Sequence, residues 1–124
     1  MLGTQSASTP DELDCAMREL QDSFHSPQLD GERLRNALRD LLRVLVQPRF
    51  RTAHNCRVVG HLVLTTALVD AEVQKRVLRL PDSLRELIDD MAMYLDIVFT
   101  KTSLAANFSS LPEQLLSRAD RMQL

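Results

Sequence analysis

Leu34, Leu38, Leu41, Leu42 and Leu45 recur at three- and four-residue intervals, while Arg35, Arg39 and Arg43 recur every four residues on another face. Apolar positions so spaced line one side of a 3.6-residue turn, which predicts an amphipathic helix from about Asp30 to Val46. The same reading applies upstream. Thr9 can cap a helix, Pro10 suits its first position and Glu12 completes a capping box, after which Leu13, Met17, Leu20 and Phe24 form one stripe until His25-Ser26-Pro27 ends it. Downstream, Asp70 caps a short helix over 71–80 with Val73, Val77 and Leu80 inward, and Pro81 breaks it. Ser83 and Glu86 make a second capping box for a helix reaching about Thr100. Its Leu84, Leu87, Ile88, Met91, Leu95, Val98 and Phe99 are apolar, and Met93, Tyr94 and Ile97 widen the face toward several neighbours. Residues 101–109 read as a loop, and Ser110 with Glu113 frames a last short helix carrying Leu111, Leu115, Leu116 and Met122.

Residues 56–69 are apolar almost all round and include β-branched side chains and Gly60, so a buried strand and a buried helix both fit the run. The chain offers no second strand to pair with. A lone strand would leave its backbone donors and acceptors unsatisfied, which favours a helix. The expected fold is therefore all-α, with about six helices in a short right-handed array or compact bundle. Residues 1–9 form a flexible polar lead and 10–124 one domain, a size that suits 124 residues.

A weak internal period supports the array. Leu38-Arg39-Asp40-Leu41-Leu42-Arg43-Val44-Leu45 parallels Leu84-Arg85-Glu86-Leu87-Ile88-Asp89-Asp90-Met91, with an apolar helix, an acidic turn and a short helix between them. Over residues 34–98 this order resembles an armadillo or HEAT repeat. The resemblance implies stacked helices with the 50–68 helix on an inner wall. Where peptide-binding armadillo repeats carry Trp and, four residues on, Asn, this chain has Arg57 and His61, so their grip on an extended peptide backbone does not transfer. Stacked repeats need about three units to stabilise one another. With fewer here, the expectation is that the chain is an end piece of a longer solenoid, or that flanking helices, a partner or a second copy cover the ends.

Composition narrows the function. The net charge is −2, which gives no general basic field for nucleic acid, although thirteen of the fifteen basic residues are Arg. Cys15 and Cys56 stand far apart with no CxxC spacing, so reduced thiols and an intracellular setting, cytoplasmic or nuclear, are expected. No apolar stretch is long enough to span a membrane.

Catalytic patterns are absent: no GxSxG, HExxH, phosphate loop or GxGxxG occurs, and His54 and Cys56, two apart on a helix, point to different faces. Asp89-Asp90 reads as a solvated pair. His54 and His61 share a face but lack a third ligand, so no metal and no cofactor is implied. What remains is a polar stripe on an apolar helix. His54, Arg57, His61 and Thr65, at offsets of three, four and four, occupy one face where a partner can reach them, and Arg57 can hold a carboxylate. The Arg35, Arg39, Arg43 ridge is a second candidate, for an acidic segment or a phosphate backbone. Met91-Ala92-Met93-Tyr94-Leu95 is a third, as an adaptable apolar surface.

The expected function is a non-enzymatic protein-interaction domain of adaptor type. It would bind a helical or extended partner segment in a groove between the 50–68 and 84–99 helices. The alternatives are homodimerisation within a larger regulatory protein and nucleic-acid binding through the arginine ridge, the last disfavoured by the acidic balance.

Overall fold

A computed structural model describes residues 11–100 and 110–123, with the backbone alone for 96–100. Six α-helices lie among the described residues: α1 (Glu12–His25), α2 (Gly31–Leu45), α3 (Ala53–Val63), α4 (Ala71–Val77), α5 (Asp82–Thr100) and α6 (Leu111–Arg121). A π-helical segment, Leu64–Val69, continues α3. No strand occurs among the described residues, so the apolar run 56–69 coils, as the missing strand partner required.

Helix starts follow local capping chemistry. Asp30 accepts from the amide of Glu32 at α2, and Asp70 accepts from Glu72 and Val73 at α4. Three expected caps differ. α1 is capped by Asp11, which takes the amide of Asp14 at 2.8 Å, so Glu12 is the first helical residue and not the third; Thr9 and Pro10 lie outside the described residues. Ser83 sits inside α5, whose first turn is anchored on the Pro81 carbonyl instead. Ser110 precedes α6 but makes no side-chain cap bond; its hydroxyl accepts from Gln114 Nε2 at 2.9 Å, and Glu113 turns away to Arg51.

The core is one continuous cluster. Leu34, Leu38, Leu41, Leu42 and Leu45 from α2 are fully buried, as are Leu20 and Phe24 from α1, Cys56, Val59 and Val63 from α3, and Leu84, Leu87, Ile88, Met91 and Leu95 from α5. Val73, Val77 and Leu80 point inward from α4 and its end, as their spacing predicts. Met93 and Tyr94, read from sequence as widening the packed face of α5, are exposed. The side chains of Ile97, Val98 and Phe99 and the expected loop 101–109 lie outside the described residues.

α3 packs mainly on α5, α1 on α2, and α6 on both α2 and α5. This last contact joins the end of the chain to its second helix. In a one-dimensional stack each unit touches only its neighbours, so α6 gives the assembly a closure that such a stack lacks. The positions shared by the two similar segments, Leu38/Leu84, Leu41/Leu87, Leu42/Ile88 and Leu45/Met91, are all fully buried. The internal match is thus a match of core-facing stripes.

Candidate interaction site on the third helix

Thr52 starts α3 by accepting the amide of Asn55 at 3.1 Å, and the Asn55 side chain donates to the Phe50 carbonyl at 2.8 Å. These bonds fix the register of the helix. Cys56, Val59, Gly60 and Val63 then fall on the buried side, and His54, Arg57, His61 and Thr65 on the exposed side. All four residues of the predicted stripe share one solvent-facing surface, as offsets of three and four residues require.

The stripe ends at the π segment. Thr65 Oγ1 lies 2.9 Å from the His61 carbonyl and 3.3 Å from that of Leu62, so its hydroxyl proton is spent on the backbone while its lone pairs stay open. The amide of Asp70 reaches back five residues to the Thr65 carbonyl at 3.2 Å. Wide turns of this kind recur at functional positions in helices.

Two solvent-open depressions flank the stripe and share Val58 and His61. One, about 390 Å³, is lined by His54, Arg57, Val58 and His61. The other, about 300 Å³, has Met17 and Gln21 of α1 on one side and Val58, His61, Leu62 and Thr65 on the other. The second depression is walled by α1, while α5 packs against α3. Sequence reading placed Met17 in the core; it is half-buried and lines the second depression. Gln21, one helical turn on, was missed, although its four-residue offset from Met17 puts both on one face.

The arginine ridge is directed at α6. Arg35 Nη1 donates to the Met122 carbonyl at 2.8 Å, Arg39 lies 3.9 Å from Asp120, and Arg43 lies 3.4 Å from Asp120 and 3.8 Å from Asp40. Nearby, Arg51 pairs with Glu113 and Arg118 with Asp90 at 2.6 Å. Asp90 is thereby separated in role from the exposed Asp89. Met91, Ala92 and Leu95 of the methionine-rich run are buried.

Cys56 is buried and His54 exposed, so the two do not meet. Burial pushes the Cys56 thiol up to about 11, with Arg51 pulling the other way and Glu113 adding to the rise. Such a thiol is a poor nucleophile at neutral pH. Among the described residues, no three His, Cys, Asp or Glu side chains come together as a metal site. Nor is any helix there long and apolar enough to cross a membrane.

Comparison with known proteins leaves the chain without a matched relative: no family model, no curated protein and no solved structure matches it. What can be stated of its class is that it is an all-helical protein with a polar, exposed helix face beside two shallow depressions.

Proposed function

We propose that the chain is a non-enzymatic interaction domain that binds an acidic, aliphatic segment of a partner protein across α3. An aliphatic side chain of the partner enters the depression between Met17 and Leu62, and a neighbouring carboxylate meets Arg57 and His61. The observation carrying this reading is the adjacency of the two halves. A lining dominated by Met17, Val58 and Leu62 stands beside a cationic side chain and two imidazoles on one exposed face. Apolar contact supplies affinity in such grooves, and a guanidinium fixes the orientation of a carboxylate. The open lone pairs of Thr65 can take a backbone amide of the bound segment.

Selection of random peptides against the full chain tests this. Enriched sequences should combine Asp or Glu with Leu, Ile, Met or Phe. The double variant Arg57→Glu, His61→Glu should weaken an enriched peptide at least about tenfold, roughly 1.4 kcal/mol, with the helical circular dichroism unchanged. Enrichment of basic peptides, or equal affinity for the double variant, refutes the assignment.

A further inference from the structure

Away from α3, the turn between α1 and α2 faces the end of α4. Ser26 closes α1 in an extended conformation (φ −60°, ψ 135°), and the exposed Pro27 and Gln28 follow it. The Ser26 hydroxyl is held only by a local bond, donating to the Gln28 carbonyl at 3.1 Å. From fifty residues away, Arg76 Nη1 donates to the Ser26 carbonyl at 3.3 Å. Pro27, Gln28, Leu29, Arg76, Arg79 and Leu80 line a depression of about 270 Å³ beside this contact.

The charge in that depression is one-sided. It contains two guanidinium groups and no carboxylate. Arg79 is exposed and makes no ion pair among the described residues, and Arg76 makes only the carbonyl contact. Carboxylates on the same and adjoining elements are engaged: Asp30 caps α2, Asp70 caps α4 and lies 3.7 Å from His25, Glu72 lies 3.6 Å from Lys75, and Asp82 pairs with Arg85. Two forks with unused donors, lining a depression beside an extended Ser-Pro turn, make a receiver for a phosphomonoester.

We propose that Ser26 is a phosphorylation site and that Arg76 and Arg79 receive its phosphate, fastening the α1–α2 turn to α4. A proline-directed protein kinase would supply the group. Ser26 Oγ attacks the γ-phosphorus of ATP, the hydroxyl proton passes to the kinase base, and ADP leaves. The ester loses the donor that now serves Gln28, and a negative group at the end of α1 opposes the helix dipole. Contact with two guanidiniums outweighs both effects, because charge-assisted forked bonds to a phosphate dianion are the stronger interaction. This site is separate from the α3 face and stands or falls independently of it.

The test uses the full chain and a proline-directed kinase that modifies the isolated peptide 21–32. In a Thr9→Ala background, which removes the other Ser/Thr-Pro position of the sequence, mass spectrometry should place one phosphate on Ser26 of the folded chain and none on its Ser26→Ala derivative. Phosphorus NMR then follows the second ionisation of the phosphoserine. Arginine contact favours the dianion, so this ionisation should fall about one pH unit below that in the phosphorylated peptide, and should return to the peptide value in Arg76→Gln, Arg79→Gln. Failure of the kinase to modify the folded chain overturns the site. A titration identical to the peptide's overturns the receiver, and the single variant Arg79→Gln takes the place of the double variant should the latter lose its helical signal.

Discussion

Raising the pH through the range of the buried thiol probes whether Cys56 belongs to the closed side of α3. Its side chain is inaccessible, and burial is the main cause of a thiol held near 11, against an ordinary value of 9.0. In the unfolded chain the same thiol ionises near 9.0. The folded value is raised and the charged form is the deprotonated one, so this group's contribution is complete below pH 9. It is lost progressively as pH climbs toward 11, where the unfolded state sheds its proton first. The difference corresponds to about 2.7 kcal/mol as a ceiling. The loss reached by pH 11, where the folded thiol is only half ionised, is smaller, and solvent screening sets it at about 1–2 kcal/mol. The assay is urea unfolding, followed by circular dichroism at pH 8, 9, 10 and 11, in a Cys15→Ser background so that the exposed thiol contributes nothing. Lysine and tyrosine titrations also fall in this range, so the quantity to read is the difference between that protein and its Cys56→Ala derivative. The parent should lose about 1–2 kcal/mol more than the alanine variant between pH 8 and 11. Parallel losses in the two proteins would show that Cys56 is hydrated in the fold and that the inward face of α3 is misassigned.

Two substitutions test the fold more directly. Leu38→Ala removes a fully buried side chain from the middle of α2 and should cost about 2–5 kcal/mol in urea unfolding; a cost below about 1 kcal/mol would place that stripe at the surface. Asp70→Ala deletes the carboxylate that accepts two amides at the start of α4 and should cost about 1 kcal/mol, with hydrogen exchange speeding first at Glu72 and Val73.

The sequence exposes most of the helices because their signals are local. The leucines of α2 obey the 3.6-residue period without interruption, and the carboxylates of Asp30 and Asp70 stand where the first turns need acceptors. Capping failed where two carboxyl or hydroxyl groups competed for one end. Asp11 could serve the first turn of α1 as well as Thr9, and only the backbone path decides between them. At α6 a local and a distant partner both compete, and Gln114 takes the Ser110 hydroxyl. Glu113 is drawn to Arg51, sixty-two residues away, and an i,i+3 pattern with Ser110 cannot reveal that. The π turn after α3 was equally hidden, since the run through Val69 stays apolar whether each amide reaches back four residues or five.

The two polar surfaces differ for a related reason. The α3 stripe and the α2 ridge look alike as sequence, both being polar residues at helical spacing beside an apolar face. The structure separates them by what lies opposite. Arg35, Arg39 and Arg43 look onto the acidic and carbonyl-bearing end of α6, whose Asp120 takes two of the three guanidiniums. Part of the ridge's field is therefore met inside the molecule. Opposite the α3 stripe stand Met17 and Gln21, which bring no charge. That neighbour adds apolar surface beside the stripe. The difference between a ridge that holds the fold and a face that can meet a partner thus rests on which helix packs alongside, and that depends on tertiary pairing that no single helical period encodes.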